Sequence, residues 1–122
     1  MIYQENLERI AKENEFFRRV LYTGKKTQLV AMNLLPGEEI GEETHAATDQ
    51  VFFFASGAGS AVIDQKPRPV REGDVLFVPA GTLHNIRNTG KSSMKLTTMY
   101  APPEHPAGTV EKTRNDALAA SH

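Results

Sequence analysis

Four residues of this chain have the types and the spacing to hold a metal ion: Glu43, His45, Gln50 and His84. They sit in two short stretches, GEETHAATDQVFFFASG from Gly41 to Gly57 and GDVLFVPAGTLHNIRN from Gly73 to Asn88. The whole chain has 4 histidines, and two of them fall in these stretches. Glu43 and His45 are separated by one residue, so on an extended backbone both side chains leave by the same face. Ala46 to Asp49 suits a tight connection, after which Gln50 opens the next strand and returns beside them. His84 follows Pro79-Ala80-Gly81, which fits a type I turn with Pro second and Gly fourth and would aim His84 at the interior. Two imidazoles and a carboxylate with open positions suit non-haem Fe(II); Mn(II), Ni(II), Co(II) and Zn(II) fit as well. Gln50 adds a weak neutral donor, which could equally hydrogen-bond a substrate. Taken singly, a strand histidine is more often a core or surface residue, and Glu42-Glu43 reads as a solvated loop. Only the joint spacing points to a divalent transition metal.

Several other residues carry a weaker signal. His105, in Pro102-Pro103-Glu104-His105-Pro106, is either a lid or proton shuttle over the site or an exposed turn histidine. Tyr100 ends a strand and either donates to a substrate or packs in the core. Asp49 reads as an acceptor orienting His45, with solvent exposure as the competing reading. Met32, Phe52, Phe54 and Phe77 line a cavity or the core. Gly57-Ala58-Gly59 reads as a hairpin turn, since no helix follows it to make a phosphate loop. Arg18-Arg19, Tyr3 and Tyr22 give no usable signal.

The elements that must position these residues are mostly β. Short apolar, β-branched or aromatic segments recur near 16–23, 27–34, 51–56, 59–64, 74–78, 84–87 and 94–100. Gly, Pro, Asn and Asp punctuate them, including the run from Asp64 to Pro69. Such spacing predicts an all-β antiparallel sandwich or barrel. Residues 4–13 suit a short N-terminal helix with Leu7, Ile10 and Ala11 on one side, or else a frayed arm. A last short helix is expected near 114–120. Gln50-Val51-Phe52-Phe53-Phe54-Ala55 is apolar on both faces, so its outer face needs a cover. A homodimer is the expected cover; the edge of the second sheet and the N-terminal segment are the alternatives.

With 122 residues the chain is read as one domain over 1–122, with a barrel core at about 16–101, an N-terminal segment 1–15 and a tail 102–122. The 14 basic and 15 acidic residues give a net charge of −1, so no nucleic acid or acidic membrane is expected as partner. The absence of cysteine excludes disulfides, thiolate nucleophiles and Cys-type zinc sites. The N-terminus lacks the apolar stretch of a signal peptide, and no apolar run nears the ~20 residues that span a bilayer. A soluble cytoplasmic protein with a small-molecule ligand is expected.

The two stretches resemble the paired motifs of the cupin superfamily. Gly73, Pro79, Gly81, His84 and Asn88 match its second pattern, G-x5-P-x-G-x2-H-x3-N, in full. In the first, G-x5-H-x-H-x3,4-E-x6-G, the first His is replaced by Glu43, the second is His45, the Glu is replaced by Gln50, and Gly57 closes the motif. The resemblance extends to small single-domain bacterial cupins with an opening like 14–32 and an ending like 100–105. It implies a jelly-roll double-stranded β-helix, a conical barrel with a metal inside its mouth, and often a dimer. Relatives of this kind are loosely labelled after sugar-phosphate isomerases. The expected function is Lewis-acid isomerase or lyase chemistry on a small oxygen-rich substrate such as a sugar derivative or oxo acid. An Fe-dependent dioxygenase and a non-catalytic ligand-binding or structural metal protein are the alternatives.

Overall fold

Side-chain alternation along two long strands decides what this molecule keeps inside. In β3 (Asp49–Ser56) Gln50, Phe52 and Phe54 are buried while their neighbours are half-exposed. In β8 (Met94–Ala101) Met94, Leu96, Thr98 and Tyr100 take the same inner face. The computed structural model describes residues 2–120. The other strands are β1 (Arg18–Thr23), β2 (Gln28–Leu34), β4 (Ala58–Ile63), β5 (Lys66–Arg71), β6 (Val75–Val78), β7 (His84–Arg87) and β9 (Val110–Glu111). Two helices flank them, α1 (Leu7–Glu13) and α2 (Arg114–Ala120).

The strands form two antiparallel sheets, β6-β3-β8-β2-β1-β9 and β5-β4-β7. This is a jelly roll, with the core between the two inner faces. Met32, Leu34, Phe52, Ile86, Met94 and Leu96 are fully buried there. Each such side chain contributes roughly 1.5–3 kcal/mol by leaving water. Segment 37–45 closes the smaller sheet without being a regular strand. It hydrogen-bonds along 81–88, from Gly37 N–H to Asn88 O (3.0 Å) through Ile40 to Ile86 (2.9 Å) to Gly81 N–H on His45 O (2.8 Å).

Seven expected strands are present within two residues of their expected ends. Two strands were read as loop. β5 is Lys-Pro-Arg-Pro-Val-Arg, whose prolines mark punctuation; it is the edge of its sheet, where a missing N–H is tolerated. β9 has only 2 residues, paired with Arg18 and Arg19. The N-terminal helix begins at Leu7 rather than at residue 4, because Asn6 caps it by accepting from Arg9 N–H at 2.8 Å. Gly57 is a corner and not a hairpin: β3 and β4 belong to different sheets. Its φ is +90° and a Cβ there would lie 2.8 Å from Ser93 O, so only glycine fits.

Phe77 is 57% exposed and lines neither core nor cavity. It points outward from β6, the edge of the larger sheet. Part of the outer face of β3 is covered from within the chain, and Val51 and Phe53 stay half-exposed. Helix α1 lies across β3, β8 and β2 with Ala11 buried, and outer-face Ala31 and Thr97 beneath it are fully buried. Among the described residues no helix is long and apolar enough to cross a membrane.

Candidate metal centre

Glu43, His45 and His84 form a group that could bind a metal: one donor atom from each lies within 4.8 Å of the other two. Glu43 and His84 are held face to face by paired backbone hydrogen bonds, N–H to O in both directions, at 2.9 Å each. His45 comes from the same irregular segment, whose carbonyl is fixed by Gly81 N–H. The turn before His84 runs from Pro79 to Thr82, with Thr82 N–H on Pro79 O (3.2 Å) and Gly81 at φ +84°. That is a type II pattern one residue later than expected, and glycine is needed at its third position. Asp49 does not orient His45. It accepts from Ala80 N–H at 2.9 Å and anchors this turn instead.

The polar atoms inside the mouth are poorly matched to one another. His84 Nδ1–H donates to Thr82 O at 2.9 Å, which leaves a lone pair on Nε2. The Gln50 amide nitrogen donates to Thr98 Oγ1 at 3.0 Å, which turns its oxygen towards His84. Gln50 Oε1 and His84 Nε2 are 3.0 Å apart and buried, close enough for one ion to meet both. A cation accepting both lone pairs, or a proton on Nε2, makes that approach favourable. Donors ~2.1 Å from one ion and about a right angle apart have a separation of about this size. His45 Nε2 is buried without a hydrogen-bond partner and lies 3.5 Å from Glu43 Oε2. A buried orphan of this kind costs about 1–3 kcal/mol unless something binds it. The donor set fits a divalent transition metal.

Around this group lie residues of both kinds, expected and missed. Tyr100 is buried with its ring edge-on to His45 at 5.8 Å. Burial first, then Glu43, pushes its phenol well above the usual range, so it stays a hydroxyl and a donor. His105 is half-buried rather than exposed, 3.4 Å from the Tyr100 hydroxyl through Nε2. Burial and the nearby Arg18 lower its pKa to about 4, so its ring is neutral at neutral pH. The segment that carries it is clamped by Gln28, whose Oε1 accepts from Glu104 N–H and His105 N–H while its amide donates to His105 O. Glu104 was missed: its carboxylate lies 3.3 Å from His45 Nδ1, the position of a group that orients a ligating histidine. Arg18 was missed too, although Val20, two residues on and buried, puts Arg18 on the inner face. A cavity of about 240 Å³ opens beside the group and is lined by Arg18 and Glu43. A larger hollow of about 580 Å³ lies outside the barrel under α1 and includes none of these residues.

Residues 30–100 match the family model of the cupin domain. The chain is a cupin. YrkC of Bacillus subtilis, an uncharacterised protein, is 42% identical to this cupin over 121 residues, or 94% of the chain. The chain spans 65% of YrkC's length. An oxalate-binding protein of Thermotoga maritima is 32% identical over 71 residues, covering 57% of this cupin and 59% of that protein. Among solved structures, the Bacillus halodurans protein BH2720 superimposes with a TM-score of 0.95 at 38% identity, over 98% of this cupin and 95% of that chain. A predicted oxalate decarboxylase of Thermotoga maritima gives 0.61 at 26% identity, covering 65% of this cupin and 69% of that chain.

Proposed function

We propose that this cupin holds a divalent transition metal through Glu43, His45, Gln50 and His84 and acts on a small oxygen-rich molecule, in isomerisation or lyase chemistry. The observation that carries the reading is the convergence of one donor atom each from Glu43, His45 and His84 within 4.8 Å of one another, with His45 Nε2 buried and orphaned. The metal would supply Lewis acidity, polarising a substrate oxygen. The chain's own groups do the rest. Glu43 offsets part of the metal's charge, and Glu104 holds the His45 ring through Nδ1. The Tyr100 hydroxyl offers its one proton to substrate oxygen, while the neutral His105 ring, 3.4 Å from Oη, donates to that oxygen through Nε2–H.

A second reading is binding without turnover, favoured by the relative named as an oxalate-binding protein. The first reading is tested by metal content by mass spectrometry on wild type, Glu43→Ala and His84→Ala. Near-stoichiometric metal in the wild type and its loss in both variants is the expected result. A wild type that also fails to take up added Fe, Mn, Ni, Co or Zn overturns it. Ligand recovered chemically unchanged after long incubation with metal-loaded protein distinguishes binding from catalysis.

A further inference from the structure

This inference rests on the metal reading above and extends it to the class of ligand. We propose that Arg18 is the anion-recognising residue of the site, and that the ligand is a small hydroxy or oxo acid whose second carboxylate meets Arg18 while its other end meets the metal.

Arginine is almost never fully buried unless paired, and Arg18 is only 9% exposed. Its pairing is incomplete. Nη1 binds Glu111 Oε1 at 2.5 Å, while Nε is buried and has no partner. A guanidinium presents its donors as a planar fork that matches a carboxylate through two parallel hydrogen bonds. Glu111 meets the fork at Nη1 and leaves the Nε–H unanswered. A purely structural ion pair between β1 and β9 gives no reason for that orphan.

Placement supplies the second argument. Arg18 and Glu43 line the same cavity of about 240 Å³, so the guanidinium and a member of the metal group open on one small space. Phe17 and Leu118 furnish apolar wall, and Arg114, whose Nε–H donates to Glu39 O at 2.6 Å, frames the rim with a second positive charge. The volume admits a small acid.

The test is calorimetry on Mn(II)-loaded protein with malate against lactate. The two share a chelating hydroxy-acid end and differ by one carboxylate. Wild type is expected to bind malate at least tenfold tighter than lactate. In Arg18→Gln that ratio should collapse to within about twofold while Mn(II) content persists. Equal affinity for malate and lactate in wild type overturns the proposal, as does an undiminished ratio in Arg18→Gln. Should Arg18→Gln fail to fold, Leu118 decides, since it is 43% exposed on the cavity wall. Leu118→Lys should strengthen and Leu118→Glu weaken malate binding by several-fold each, with lactate moving less. Identical malate affinities in the two Leu118 variants overturn it. A wild type that takes up no metal is a different result: it removes the metal reading itself.

Discussion

The interior of the barrel has two ends built from the same strands, and they obey different rules. At one end β3, β8 and β7 contribute Phe54, Leu96 with Met94, and Ile86, all apolar and packed. At the other end the same strands contribute Gln50, Tyr100 and His84, buried as deeply but polar. Gln50 and Tyr100 are directly paired across β3 and β8, so the change of character is set by register and not by distant folding. The apolar end satisfies itself. The polar end leaves His45 Nε2 and Arg18 Nε without partners and brings Gln50 Oε1 to 3.0 Å from His84 Nε2. Stability is made at one end, and the capacity to bind is stored at the other as unmet hydrogen-bonding demand.

If the two ends are separable, variants should split cleanly between them. The largest effect belongs to the apolar end. Phe54→Ala should lower the unfolding free energy by about 3–5 kcal/mol in urea titration, since it leaves a cavity in a packed core. Its metal stoichiometry should be unchanged; loss of metal would show the ends to be one cooperative unit. Next, Glu104→Gln should weaken metal affinity about 10–100-fold by competition titration, with the chevron midpoint hardly moved. A large drop in stability would make Glu104 a structural residue.

Smaller effects refine the picture. His105 has a folded pKa of about 4 against ~6.5 unfolded, so between those values the unfolded chain binds more protons. Its contribution to stability is complete above pH ~6.5 and is lost as pH falls towards 4. Discounted for partial exposure, the loss is about 1 kcal/mol. His105→Gln should flatten the pH dependence of stability over that window; an unchanged slope would show that another group carries it. Smallest is Asp49→Ala, which removes the acceptor for Ala80 N–H and should cost about 1 kcal/mol in thermal unfolding.

The sequence was legible where periodicity and turn chemistry act locally. The seven strands with alternating or branched residues are where their pattern put them, and the spacing of Glu43, His45 and His84 translated into converging side chains. What escaped depends on long-range pairing. β5 is hidden by its prolines, which only an edge position tolerates. β9 exists because Arg18 and Arg19 offer partners to Glu111 and Val110 from far upstream, and two residues carry no period. Glu104 and Arg18 reach the site from segments whose local sequence reads as a turn and a charged pair. Arg18 had one local clue, its alternation with Val20. Glu104 had none, because Gln28 of β2 fixes its approach.

The hydrogen-bonded clamp between Gln28 and the segment at Glu104 and His105 has a consequence for the order in which the molecule is made. Chains emerge from the ribosome N-terminus first. Every strand of both sheets but the two-residue β9 has been synthesised by Ala101, while Glu104, His105 and Glu111 are still to come. The contacts of Glu104 with His45 and of Glu111 with Arg18 thus depend on a segment that lies outside the main strands. The segment after Ala101 is made later than the main strands and adds only β9 and α2 to the scaffold, yet it carries the partners of His45 and Arg18.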